Sequence, residues 1–82
     1  MKRIGWTDSA RSDVRRLDRQ TAMRILSALH RFAESGAGDV KKLRAAREEL
    51  RLRIGDYRLL FVYTLEDAIE VRRVLHRSES YR

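Results

Sequence analysis

The sequence predicts a small α+β domain, in which a small antiparallel sheet carries an N-terminal helical hairpin on one face in the order β-α-α-β-β-β. Residues 50–54 alternate apolar and polar side chains, and they are followed by a Gly-Asp pair that is typical of a tight hairpin turn. Residues 21–33 instead repeat apolar side chains at helical spacing. With 82 residues the chain can build one modest core, so a single domain spanning residues 1–82 is expected.

The N-terminal part predicts a short strand followed by two helices. The strand is expected at residues 3–7, and Thr7 or Asp8 is suited to cap a first helix that begins near Ser9. Asp18 is a second cap candidate. The polar residues of the first helix are expected to face solvent: Arg11, Asp13, Arg15 and Arg16.

The second helix carries a well-formed apolar stripe from Thr21 onward. Its members are Ala22, Ile25, Leu26, Leu29, Phe32 and Ala33. Two glycines within residues 34–39 can end the helix with a left-handed residue. Residues 40–48 are rich in cations, and their pattern fits either an irregular segment or a helical turn.

The hairpin predicted from residues 50–63 gathers arginines on one face. Gly55 supplies the positive φ of a primed two-residue turn with Asp56, which places Arg53 opposite Arg58. Directly opposed residues share a face of the sheet. Arg51 lies on the same face, because it is two residues before Arg53 and side chains alternate along a strand. Like charges at opposed positions cost stability, and the cluster therefore suggests an anionic partner such as a phosphodiester. An ordinary solvated strand face is the alternative.

The C-terminal part predicts a turn at residues 64–67 and a last strand at residues 68–75. The position of the first strand stays open, because it can pair at either edge of the sheet or beside a later strand.

Composition narrows the functional classes. A formal charge of +7 and a pI near 10.8 suit binding to nucleic acid, to an acidic protein, or to both. The chain has no cysteine and two isolated histidines, so neither a metal nor another cofactor is expected. It also shows no signal peptide and no segment of membrane-spanning length, so a cytoplasmic protein is expected.

Several segments together resemble the RelE/ParE toxins of bacterial type II toxin–antitoxin systems. The resemblance covers essentially the whole chain and rests on Glu49-Leu-Arg-Leu-Arg-Ile-Gly-Asp-Tyr-Arg-Leu-Leu-Phe61, Ile69-Glu-Val71, Val74-Leu-His-Arg77 and Tyr81. It implies one of two activities. RelE-like members are metal-independent endoribonucleases that cut mRNA, often on the ribosome, by attack of the RNA's own 2′-OH. ParE-like members share the fold, lack the catalytic residues and inhibit DNA gyrase.

The resemblance also implies residue roles. Arg58 matches the hairpin arginine that contacts the scissile phosphate, and Arg51 and Arg53 match positions that carry lysine or arginine in RelE-like enzymes. Arg77 resembles a basic residue at the leaving group, and Tyr81 resembles a terminal tyrosine that stacks on a base or joins proton transfer. His76 is a candidate acid or base, because histidine is the residue type most often used for proton transfer. The remaining cations are candidates for binding RNA backbone or the antitoxin: Lys41, Lys42, Arg44 and Arg47.

The implied partners are an acidic antitoxin, mRNA and the ribosome, with operator DNA reached only through the antitoxin. An mRNA-cleaving toxin is the leading hypothesis and a gyrase inhibitor the alternative. A third hypothesis is a degenerate toxin that acts only as a repressor together with its antitoxin. A pair of lysines in the best-studied RelE-like pattern is replaced here by Glu49 and Arg51.

Overall fold

The computed structural model describes residues 3–44, 49–64 and 68–78, with the backbone alone at residues 39 and 41–44. The described residues form two helices and one five-stranded sheet. In chain order the elements are β1 (Arg3–Trp6), α1 (Asp8–Arg15), α2 (Arg19–Ser35), β2 (Asp39–Arg44), β3 (Glu49–Ile54), β4 (Tyr57–Tyr63) and β5 (Ala68–His76). The α+β class and the predicted succession of a strand, two helices and the C-terminal strands are confirmed, with β2 as an addition.

The cap residues that the sequence indicated are found at the start of both helices and at the end of the second. Thr7 caps α1 by accepting a hydrogen bond from the Ala10 N–H at 3.1 Å. Asp18 caps α2 through the Thr21 N–H at 3.0 Å and also binds the Thr21 hydroxyl at 2.6 Å. Gly36 ends α2 with a φ of 78°, a left-handed conformation in which a side chain would be strained.

The sheet order is β1-β5-β4-β3-β2, and β1 is its one parallel member among the described strands. The other neighbours pair antiparallel. β1 therefore lies at an edge beside the last strand, which resolves the position that the sequence left open. The sheet is thus mixed where a purely antiparallel sheet was expected, because a contact between the first and last strands decides the orientation of β1.

Residues 39–44 form a strand, where the sequence suggested an irregular or helical segment. β2 pairs antiparallel with β3, and its register places Lys41 opposite Arg51 and Val40 opposite Leu52. The free edge of β3 offers unpaired backbone groups, and pairing with them outweighs the weak strand propensity of a cationic segment.

The core lies between the helices and one face of the sheet. Ile25, Leu29 and Phe32 of α2 are buried against the sheet, and Phe32 meets Phe61 edge-to-face at 5.3 Å between ring centroids. The sheet contributes its own fully buried side chains: Leu52, Leu59, Phe61, Ile69 and Val71. The apolar stripes read from the sequence meet in this core.

Helix α1 and its cap are hydrogen-bonded to the part of the β5 edge that lies beyond the end of β1. The Thr7 hydroxyl donates to the Arg72 carbonyl at 3.0 Å. The Asp13 carboxylate accepts from the Val74 N–H at 2.9 Å and from Arg73 Nε at 2.8 Å. Asp13 is only 5% exposed, so the expectation that it faces solvent was wrong. Its spacing from Ala10 and Val14 places it on the buried side of α1, where β5 supplies its donors.

Gly38 is expected to tolerate a side chain poorly. A Cβ at this position would lie 2.7 Å from Leu52 Cδ1, and its φ of 155° disfavours L residues. We predict that Gly38→Ala lowers the free energy of unfolding by about 1–3 kcal/mol, measured by urea unfolding. Gly5→Ala is the matched control, because its Cβ would meet only the Ile69 carbonyl oxygen at 4.0 Å. Equal stability of the two variants would contradict the prediction.

Candidate nucleic-acid interface

The β3–β4 hairpin has the register that the sequence predicted. Ile54 pairs with Tyr57 across the Gly55-Asp56 turn, and Arg53 pairs with Arg58. Gly55 has a φ of 59°, as the first residue of a primed turn requires. In a two-residue hairpin the second pair from the turn is non-hydrogen-bonded, which is the arrangement in which side chains approach most closely.

Arg51, Arg53 and Arg58 form what we call the arginine face. The Arg58 side chain is 7% exposed and lies between Arg53 on β3 and Leu75 on β5. Arg53 is exposed, whereas Arg51 is half-buried opposite Leu60. The face therefore offers one guanidinium held inside the sheet surface and one accessible guanidinium next to it.

The opposite side of the same strands anchors this face. Leu52, Ile54 and Leu59 alternate with the arginines and are buried in the core. A hairpin packed in this way cannot slip by one residue without exposing its apolar side chains. The core thus fixes the positions of the three arginines.

The electrostatics of the arginine face favour an anion. No ion pair joins Arg51 or Arg53 to a carboxylate among the side chains that the structure describes. On its other side the backbone of Arg53 pairs with Asp39 of β2. Adjacent cations repel more strongly where burial lowers the local dielectric constant, and a bound phosphate would relieve that repulsion.

Arg77 lies at the turn end of the arginine face. Its N–H donates to the Asp56 carbonyl at 2.7 Å, and its guanidinium lies 3.8 Å from the Asp56 carboxylate. Both side chains are largely exposed, so this ion pair contributes little to stability.

His76 lies on the opposite side of the sheet from the arginines. It pairs with Tyr57, and the two rings meet edge-to-face at 5.2 Å, while Arg58 pairs with Leu75. Neighbouring residues of a strand point to opposite faces, so the His76 ring shares the side of Tyr57 and Ile54. The sequence grouped His76 with the arginines as candidate catalytic residues, but the fold does not bring it to them.

Comparison with known protein families identifies the family to which the sequence belongs. Residues 4–81 match the family model of the ParE toxin of type II toxin–antitoxin systems, parDE. The chain belongs to the ParE toxin family. No curated protein matches it significantly.

Solved structures of RelE toxins share the fold of this ParE-family toxin. RelE from the RelB–RelE antitoxin–toxin complex of Methanococcus jannaschii is 25% identical with a TM-score of 0.76, and the match covers 94% of each chain. The RelBE2 complex of Mycobacterium tuberculosis gives 25% identity and a TM-score of 0.77 over 93% of this chain and 98% of that one. The isolated RelE toxin of Escherichia coli, at 19% identity, gives 0.75 over 99% and 96%. The protein is therefore a type II toxin of the RelE/ParE superfamily.

The other candidate residues of this ParE-family toxin are only partly described. Lys41, Lys42 and Arg44 lie on the edge strand β2, and their backbone alone is described. Arg47 and Tyr81 lie outside the described residues. None of the described helices of the toxin could cross a membrane, and no group of three His, Cys, Asp or Glu side chains suited to a metal occurs within the described residues.

Two positions near the toxin's arginine face were missed by sequence reasoning. Arg73 pairs with Asp13, and the helical spacing of Asp13 was the available signal. The side chain of Arg24 on α2 reaches the hairpin turn, where its Nη1 would lie 3.6 Å from a Cβ placed on Gly55. Only the packing of α2 on the sheet reveals the second contact.

Proposed function

We propose that this toxin is a metal-independent endoribonuclease that cleaves mRNA, on the ribosome or free, by attack of the 2′-OH on the adjacent phosphorus. The directly opposed pair Arg53 and Arg58 carries the proposal, since it offers two guanidinium groups to one phosphate. The toxin is proposed to act as a single domain spanning residues 1–82, in the cytoplasm, where mRNA is available.

The reaction explains why fixed cations are suited to this site. The 2′-OH loses its proton as its oxygen bonds to phosphorus, which forms a phosphorane whose nonbridging oxygens carry more negative charge than the phosphodiester. The P–O5′ bond then breaks, which leaves a 2′,3′-cyclic phosphate, and the leaving 5′-oxygen takes up a proton. Donors fixed before the reaction stabilise this charge without reorganising, and such stabilisation is usually the largest catalytic effect. The buried Arg58 suits the role of a fixed donor, and the exposed Arg53 can receive the RNA.

The other cations have supporting roles in this proposal. Arg77 contacts the leaving 5′-oxygen from the turn end, and Arg51 orients the 2′-OH. Tyr81 stacks on a base or joins proton transfer. Further contacts to RNA backbone are assigned to Lys41, Lys42, Arg44 and Arg47.

An acidic antitoxin is the proposed inhibitor. The chain carries a formal charge of +7, and an acidic segment laid over the arginine face would neutralise it and exclude RNA. In this arrangement the toxin reaches operator DNA only through the antitoxin.

Inducing the toxin in cells and mapping transcript 5′ ends tests the proposed function. We expect arrested translation and new 5′ ends at defined positions within messages. Transcripts that stay intact while DNA breaks accumulate would overturn the nuclease proposal. Cleavage by the purified chain, with and without ribosomes, then decides whether the ribosome is required.

Gyrase inhibition is the second candidate function. It is favoured by the position of His76, which leaves the described part of the arginine face without a histidine. In that case the arginine face would bind an acidic protein surface. DNA breaks that disappear in cells whose gyrase resists the toxin, together with intact transcripts, would support this candidate.

A further inference from the structure

The chain makes a tight turn directly after β5, and His76 closes it. The Ser78 N–H lies 3.2 Å from His76 Nδ1, and the Ser78 hydroxyl lies 3.0 Å from the same nitrogen. A backbone N–H can only donate, so Nδ1 accepts and the ring hydrogen of the neutral imidazole is on Nε2.

The contact between His76 and Ser78 joins the two residues that flank Arg77 in the sequence. The bond from Ser78 to His76 spans a single residue, as in the turns that Asn and Asp side chains make with the N–H two residues on. The Arg77 N–H is bonded in turn to the Asp56 carbonyl at 2.7 Å. The backbone at Arg77 is therefore bonded to the β3–β4 turn, and the next residue is bonded back to His76.

The ring itself is fixed by the sheet. The edge-to-face contact with Tyr57 has an interplanar angle of 87°, and Tyr57 packs against the core. Because the Tyr57 side of the sheet is opposite the arginine face, the His76 ring is poorly placed to exchange a proton with RNA bound at Arg53 and Arg58.

We propose that His76 is a positioning residue, which folds the chain at Ser78 and so sets the backbone that carries Arg77 at the end of the arginine face. This role rests on the proposed RNA cleavage and replaces the acid–base role that the sequence suggested. Nδ1 supplies the necessary acceptor, and the ring supplies the contact with Tyr57.

Two substitutions separate these contributions. His76→Asn keeps an acceptor oxygen where Nδ1 stands, whereas His76→Phe keeps an aromatic ring and removes the acceptor. In the assay in which the wild type cleaves RNA, we expect kcat of His76→Phe to fall about 10- to 100-fold, the size of effect that misplacing a catalytic group produces. We expect His76→Asn to stay within about threefold of the wild type, because an Asn side chain makes the same turn. His30→Asn, an exposed change on α2, is the control.

Equal and large losses in both His76 variants would overturn the proposal and restore a proton-transfer role. Unchanged kcat in both would overturn it as well. NMR supplies a readout that is independent of cleavage: Ser78 amide exchange should be slow in the wild type and in His76→Asn, and fast in His76→Phe. A protected Ser78 amide in a wild-type protein that cleaves no RNA would refute the proposed function, whereas an unprotected amide in an active protein would refute the positioning role alone.

Discussion

Arg58→Met is expected to reduce RNA cleavage by about 10²–10³-fold, the usual loss when one fixed donor to a developing oxyanion is removed. Methionine fills much of the same buried space, which matters because the Arg58 side chain is only 7% exposed. The loss should appear in kcat, because the phosphate charge that Arg58 stabilises is greatest in the transition state. Single-turnover cleavage of an mRNA oligonucleotide, alone or on ribosomes, measures it.

Arg72→Met is the matched control for the loss of one positive charge. Arg72 lies on β5, exposed and paired with Glu70 at 3.2 Å. Its removal should change cleavage less than about threefold, because the proposal gives Arg72 no contact with RNA and the loss of its exposed ion pair costs little stability. Circular dichroism and thermal unfolding of Arg58→Met would show whether the fold is intact. A folded Arg58→Met variant that cleaves as well as Arg72→Met would refute a phosphate-binding role for Arg58.

Asp13→Ala is expected to be the most destabilising single change outside the apolar core, at about 3 kcal/mol. The substitution leaves the buried Val74 N–H without its acceptor and removes the carboxylate that binds Arg73 through two bonds at 2.8 and 3.2 Å. For a domain of this size the melting temperature should fall by about 15 °C. Asp8→Ala, an exposed change in the first turn of the same helix, should cost far less. Similar melting temperatures for both variants would show that Asp13 does not fasten α1 to β5.

The contribution of Asp13 should also depend on pH. Burial by itself raises the pKa of the Asp13 carboxyl, but the bonds from Arg73 and the Val74 N–H, with the charges of Arg73 and Arg16, outweigh it and hold the pKa below its ordinary value of 3.8. A carboxyl whose pKa is lower in the folded state stabilises fully above its ordinary pKa and loses this effect as the pH falls through the folded value. The stability difference between wild type and Asp13→Asn should therefore be constant near neutral pH and shrink below about pH 4. A difference that grows on acidification would contradict this assignment.

Local patterns were sufficient for much of the fold and for the centre of the site. The alternation around Gly55 fixes which residues oppose each other, since a side-chain period of two and a two-residue turn leave a single register. The pairing of Arg53 with Arg58 was therefore predictable, as were the caps Thr7 and Asp18. All of these depend on interactions within a few residues of the chain.

Contacts between distant residues decided the rest. β1 pairs parallel with β5 across more than sixty residues of sequence, for example Ile4 with Ile69, and β2 becomes a strand because β3 offers it an edge. Asp13 is buried because β5 presents donors to α1. His76 faces away from the arginines because the pairing of β5 with β4 decides which β5 side chains lie on each face of the sheet. The sequence by itself determined where helices, turns and the arginine pair form, because those rest on local spacing and backbone preference. Which strand meets which, and on which side a terminal side chain lies, depends on pairing energies that arise only when the whole sheet assembles.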